Sequence, residues 1–293
     1  MDRIPASTAM DAITLHVGDL DVMTAFYRDV VSLDVLDVAA PLEHQGPARS
    51  ATVTLGRTGV PLVVLRHTPG LPVPSRREAG LFHTAILFPT RADLAAAVAS
   101  MAARAPETFT GSADHLVSQA FYFTDPEGNG IELYWDRSRD EWQWVDGQVQ
   151  MDSLRLDPQA FLGEHLTDAG RERPQEGAAS VGHIHLQVGD VDVARRFYVD
   201  GLGFDVMLDW HGALFVAAGG YHHHLAMNTW NSAGAGPRSS SLGLGEVAIS
   251  LPTADDVAAL GDRMRHLGVD PRDDGETLAF EDPWRNLIRV AAA

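Results

Sequence analysis

The chain contains no cysteine. Disulfides, thiol nucleophiles and iron–sulfur clusters are therefore excluded, and any metal ion has to be held by His, Asp or Glu. Basic residues are scarce: 22 Lys and Arg stand against 40 Asp and Glu, a formal charge of −18. A nucleic-acid backbone needs a Lys/Arg face, so that class of partner is not expected. No apolar run is long enough to cross a bilayer. Residues 1–10 lack the apolar centre of a secretion signal, and a cytoplasmic protein is the expectation. What remains is an ordinary globular composition, 45% hydrophobic and 21% charged over 293 residues, enough for about two domains. Thirteen histidines stand out, because neutral imidazole is both a common metal ligand and the usual acid–base group near pH 7.

An internal repeat organises the chain. At an offset of 171, twelve of the 23 positions from 13 to 35 are identical, with Val17-Gly-Asp matching Val188-Gly-Asp and Phe26-Tyr27 matching Phe197-Tyr198. Each half splits again. HTAILFPTRADLA (83–95) resembles EVAISLPTADDVA (246–258), and Phe123-Thr-Asp-Pro-Glu-Gly-Asn parallels Phe280-Glu-Asp-Pro-Trp-Arg-Asn. The chain thus holds four modules, near 10–67, 83–135, 181–230 and 246–290. Each begins with a half-buried strand pattern. In the first and third modules Asp19 and Asp190 follow as helix N-caps, ahead of helices with Val22, Phe26, Tyr27 and Val193, Phe197, Tyr198 at core spacing. Short strands come next, and each module reads β-α-β-β-β. The fold class expected is α+β, with one pair of βαβββ modules in an N-terminal domain (1–136) and one in a C-terminal domain (181–293). Residues 137–180, charged and rich in turns, read as a linker with room for a strand and a short helix over 152–160.

Such modules curl into a cup lined by alternate strand residues, a natural place for a metal ion. His83 opens the first strand of module two. Glu132 lies in its last strand among apolar residues, where an unpaired carboxylate is costly, so a cation is expected beside it; a rim glutamate facing water is the alternative. His183 holds in module three the place His83 holds in module two, with His185 on the same face. In Tyr221-His-His-His224, strand alternation puts His222 and His224 on one face and His223 on the other, and His224 falls where module two has Glu132. Of the corresponding positions elsewhere, Ala12 and Val64 in module one cannot bind a metal, and in module four Arg289 would oppose one beside Glu246. Pairing modules two and three therefore brings together His83, Glu132, His183 and His224, and leaves modules one and four as a metal-free cup. A site of His183, His224 and Glu246 is the alternative. Two imidazoles and one carboxylate suit non-haem Fe(II) with open positions; a fourth protein ligand suits Zn, Ni or Mn and Lewis-acid chemistry.

The repeats, together with the segments around His83, Tyr122, His183 and His222–His224, resemble the vicinal oxygen chelate superfamily. That superfamily includes glyoxalase I, extradiol ring-cleavage dioxygenases and bleomycin-resistance proteins. The likeness is to its two-domain catechol-2,3-dioxygenase-like members and spans nearly the whole chain. It implies two glyoxalase-like domains, metal ligands at His83, His183 and Glu132, and Fe(II) as the ion, with Mn, Zn or Ni as alternatives. It further implies that Tyr122 hydrogen-bonds the substrate and that His115 either serves in acid–base chemistry or orients superoxide. His16, on the inner face of the first strand, is a candidate substrate contact in a second cup. The expected activity is oxygen-dependent opening of a catechol-like ring. A small aromatic substrate and O₂ are the expected partners, and a homo-oligomer is left open. The alternatives are a glyoxalase-like isomerase or lyase and a non-catalytic binding protein of the same fold.

Overall fold

The computed structural model of the chain describes residues 3–39 and 50–293. Each module contributes four main strands. They are β1–β4 in the first module (Ile13–Val17, Asp34–Ala39, Thr52–Arg57, Val60–His67) and β5–β8 in the second (Gly80–Leu87, Phe109–Asp114, Ser118–Thr124, Gly130–Asp136). The third module holds β9–β12 (Ser180–Gln187, Asp205–Trp210, Ala213–Ala217, Leu225–Asn228) and the fourth β13–β16 (Gly243–Leu251, Arg272–Asp273, Thr277–Glu281, Leu287–Ala292). The helices are α1 (Leu20–Ala25), α2 (Arg91–Arg104), α3 (Pro158–His165), α4 (Asp168–Glu172), α5 (Val191–Arg195) and α6 (Ala254–His266). Among the described residues no helix is long and apolar enough to cross a membrane. The chain is a mixed α+β protein whose strands form two large sheets.

Each sheet takes one module from each half. The first runs β14-β15-β16-β13-β1-β4-β3-β2, joining modules four and one. The second runs β6-β7-β8-β5-β9-β12-β11-β10, joining modules two and three, with Leu154–Arg155 added beside β6. The seam of the second sheet is the antiparallel pair β5·β9, in which His83 lies opposite His185. This is the pairing that ligand counting requires. A single apolar cluster includes Ile13, Leu133, Ile184 and Ile288, and so draws on all four modules. Fully burying side chains of this size stabilises by about 1.5–3 kcal/mol each.

The repeated motifs are structural anchors. Asp19 and Asp190 accept the backbone N–H groups of Val22 and Val193 and so cap α1 and α5. Both helices run on into a π-turn, Phe26–Val30 and Arg196–Gly201. The turns bury Tyr27 and Tyr198, while Val22 is left exposed rather than in the core. The Tyr27 hydroxyl donates to Asp125 Oδ2 (3.0 Å) and the Tyr198 hydroxyl to Asp282 Oδ2 (2.9 Å). Asn129 and Asn286 also donate to these carboxylates. A Tyr of one module is thereby tied to the Asp-Pro turn of the next, so each half is stitched across the two sheets.

Residues 137–180 are docked rather than loose. They hold a hairpin (Trp144–Val145 with Gln148–Val149), the edge strand at Leu154–Arg155, and α3 and α4. The buried guanidinium of Arg57 donates to the carbonyl of Pro174 at 2.7 Å and lies 5.0 Å from the Phe88 ring centre.

Candidate metal centre and cleft

His83, Glu132 and His183 come together from β5, β8 and β9. His83 Nε2 lies 2.9 Å from Glu132 Oε2, and His183 Nε2 lies 3.2 Å from the same oxygen. The two Nε2 atoms are 3.4 Å apart. Ligand atoms about 2.1 Å from one ion and at right angles to each other are about 3.0 Å apart, so this triangle has the size that a single cation fills. All three residues are buried.

The local sequence permits this approach. An added Cβ at Gly130 would lie 2.2 Å from the Phe82 carbonyl oxygen, and one at Gly182 would lie 1.7 Å from the Tyr134 hydroxyl. Glycine at these two points lets β8 close on β5 and lets β9 pass the Tyr134 ring.

The protonation states suit a cation. Burial pulls the His183 pKa down to about 4 in spite of Glu132, leaving a neutral imidazole. Burial opposes ionisation of Glu132, but the adjacent His183 and His83 outweigh it and hold the carboxyl well below the usual carboxylate range. The Nδ1 of His183 is buried without a hydrogen-bond partner among the described residues, and the ring packs instead on His223, with ring centres 4.0 Å apart.

The fourth expected ligand, His224, is not in this group. The reason is register. Ala85 pairs with Glu132 in module two, and the matching His185 pairs with Ala226 in module three. The position equivalent to Glu132 is thus Ala226, two residues beyond His224. Residues 221–224 precede the strand and follow a turn in which Gly219 and Gly220 have φ of 59° and 68°. Strand alternation therefore does not govern them. His224 Nδ1 accepts the Ala218 backbone N–H at 3.2 Å, and burial lowers its pKa to about 3. The alternative set with Glu246 also fails, because that carboxylate lies on β13 of the other sheet and accepts from Arg289 Nε at 2.7 Å.

The group opens on a cleft of about 510 Å³. His115 and Tyr122 both line it and touch each other: His115 Nε2 is 2.6 Å from the Tyr122 hydroxyl. His115 Nδ1 lies 2.7 Å from the Asp152 carbonyl oxygen. A carbonyl can only accept, so the ring proton sits on Nδ1, and Tyr122 donates to Nε2. Burial and the neighbouring Glu132 push the Tyr122 pKa well above the usual phenol range, which keeps the hydroxyl a donor. His16 lies in the other sheet, partly buried, opposite Gly243.

Two contributions escaped the sequence reading. The first is His223, which lines the cleft where His224 was expected. Asp136 Oδ1 is 2.7 Å from His222 Nε2, and His222 Nδ1 is 2.8 Å from His223 Nδ1. With His222 Nε2–H donating to the carboxylate, its Nδ1 accepts from His223 Nδ1–H, and His223 Nε2 carries a lone pair. The rarity of three successive histidines marked the segment but not the member that faces inward. The second is the 137–180 segment, which supplies Asp152 to orient His115, and Met151 and Ser153 to the cleft wall. No local motif marked it.

The glyoxalase/bleomycin resistance protein/dioxygenase superfamily model matches residues 9–133 and 180–290. The chain belongs to this superfamily. It is 34% identical to the catechol-2,3-dioxygenase of Bacillus subtilis (strain 168) over 287 residues, 97% of this chain and 96% of that protein. Among solved structures, the cppA protein of Streptococcus pneumoniae TIGR4 is similar with a TM-score of 0.58 at 12% identity, covering 100% of both chains. Glyoxalase I of Zea mays is similar with a TM-score of 0.56 at 15% identity, covering 98% of this chain and 92% of that one. At such identities these two show the fold alone.

Proposed function

We propose that the chain is a metal-dependent extradiol dioxygenase acting on catechol or a substituted catechol, with His83, Glu132 and His183 as ligands to Fe(II). The observation that carries this reading is the three-donor triangle with Ala226 in the fourth symmetric place. Two imidazoles and one carboxylate, with the remaining side open to a cleft, are the donor set that leaves room for a diol and dioxygen together. A glyoxalase-like isomerase using four protein ligands would need a donor where Ala226 stands. The 34% identity to a catechol-2,3-dioxygenase over nearly the full length supports the same choice.

The reaction inserts both atoms of dioxygen and breaks the ring bond beside the diol, giving a ring-opened semialdehyde. A bound Fe(II) supplies the path by which electrons leave the electron-rich ring for dioxygen. The chain's own residues handle the rest. A diol proton has to leave on binding, and two acceptors serve the cleft: His223 Nε2, and His115 Nε2 reached through the Tyr122 hydroxyl. Once the relayed proton has passed to His115, the Tyr122 hydroxyl keeps the proton taken from the diol and donates it back to that substrate oxygen. The aromatic walls, including Phe82 and Phe215, exclude water and pack against a flat ring.

The test is purification without oxygen, metal analysis, and O₂-electrode measurements on Fe(II)-loaded protein with a panel of catechols. Oxygen uptake with a yellow ring-opened product is expected. Fully iron-loaded protein that consumes no oxygen with any diol would sink the proposal.

A further inference from the structure

The cleft runs on beyond the triad, and strand β9 carries a row of polar groups along it. Ile184 and Leu186 face the core, while His183, His185 and Gln187 line the cleft. Residues two apart on a strand are about 6.5–7 Å apart, so the row steps outward from the triad at ring-sized intervals.

The hydrogen bonds determine what this row presents. The Trp230 backbone N–H can only donate, and it donates to Asn228 Oδ1 at 3.1 Å. The buried Asn228 amide is thereby oriented with Nδ2 toward His185 Nε2, 2.9 Å away. Nε2 has to accept this bond, so the ring N–H of His185 sits on Nδ1. No described residue takes that N–H. At the next step Asn231 Nδ2 is 3.5 Å from Gln187 Oε1, which leaves the Gln187 NH₂ group to donate. Flat apolar walls flank the row, with the rings of Phe82 and Trp230 centred 4.9 and 5.5 Å from that of His185. The exposed guanidinium of Arg76 stands on the cleft lining. A cleft of this volume is in the range that holds ligands larger than one bare ring.

We propose that His185 and Gln187 form a donor subsite for an oxygen-bearing substituent, carboxylate or acyl, on the ring position away from the diol. The inference rests on the diol reading above and names the substrate class of the same site. Its chemistry is discrimination by hydrogen bonding: a cleft built with fixed donors disfavours a substituent that leaves them unpaired.

Isothermal titration calorimetry of the Fe(II)-loaded protein without oxygen tests it, using catechol, 4-methylcatechol, 3,4-dihydroxybenzoate and 3,4-dihydroxyacetophenone. The wild type is expected to bind the carboxylate or the acyl diol about tenfold more tightly than 4-methylcatechol, the effect of one well-made hydrogen bond. His185→Leu and Gln187→Met should each reduce that preference and together erase it, with iron content and the urea-unfolding midpoint measured as a check on folding. His185→Asn, which keeps an N–H near the Nδ1 place, should restore the preference. Arg76→Ala separates the sources: a loss for the carboxylate alone identifies an anionic substituent, and no loss identifies the neutral acyl. Equal affinity for 4-methylcatechol in the wild type, or a preference that survives the double change, overturns the subsite. If catechol itself does not bind the iron-loaded wild type, the diol reading falls instead.

Discussion

The two sheets are built to one plan and are set apart at the four positions where a metal would be held. Where the β5·β8 pair carries His83 and Glu132, the β13·β16 pair carries Glu246 and Arg289 in the same register. Where β9 carries His183, the run leading into β1 carries Ala12; Ala226 corresponds to Val64. The second cup satisfies its partly buried carboxylate with a built-in cation, Arg289 Nε to Glu246 Oε1 at 2.7 Å. The first has no arginine in that place, and Glu132 Oε2 meets only the Nε2 atoms of His83 and His183. By contrast, the Tyr–Asp–Asn anchors, Tyr27 with Asp125 and Asn129, and Tyr198 with Asp282 and Asn286, are alike in both. What the duplicates share holds the fold, and what they do not share is where chemistry is to be sought.

The strongest attempt to break this comparison is Glu132→Ala. Metal content by elemental analysis and oxygen uptake should both fall to background, whereas Glu246→Ala in the other sheet should leave both unchanged. Retained metal in the Glu132 variant would remove the basis for the site. Next in size is Tyr122→Phe, which leaves the triad intact. It should lower kcat by about 10²–10⁴-fold, the usual range for a lost proton-handling group, with metal content unchanged. His115→Ala should act in the same direction, and a normal kcat in both would confine this pair to a structural role.

Smaller effects test the shared anchors. Tyr27→Phe and Tyr198→Phe each withdraw one donor from a buried carboxylate, and each should destabilise by about 1–3 kcal/mol in urea unfolding. Similar values for the two would sharpen the view that the motif is structural. A defect in kcat with unchanged stability for Tyr27 alone would break it. Smallest is His224→Ala, which loses the bond from the Ala218 backbone. It should reduce stability by about 1 kcal/mol and leave the metal content at the wild-type level, while a drop in metal would reinstate His224 as a ligand.

Much of this was legible in the linear chain. Periodicity and the repeat gave the modules, their helix caps and the motif pairs, because these depend on residues a few places apart. His83, Glu132 and His183 could be singled out because each sits at a recognisable place in its module, and Ala12, Val64 and Arg289 could be set aside as unable to join them. The Tyr221–His224 segment was misjudged because alternation holds only for extended backbone. Its turn shifts the register by two, so that Ala226 rather than His224 matches Glu132.

The order of residues by itself determined the duplicated modules, the side chains capable of holding a metal, and the exclusion of cysteine chemistry. Tertiary structure alone decided that His223 and not His224 faces the cleft, that Asp152 of the connecting segment orients His115, and that Asn228 sets the tautomer of His185. The physical reason is the same in each case. These are contacts between groups distant in sequence, made through strand register, turn geometry and the direction of individual hydrogen bonds, and none of these has a signature within a short stretch of chain.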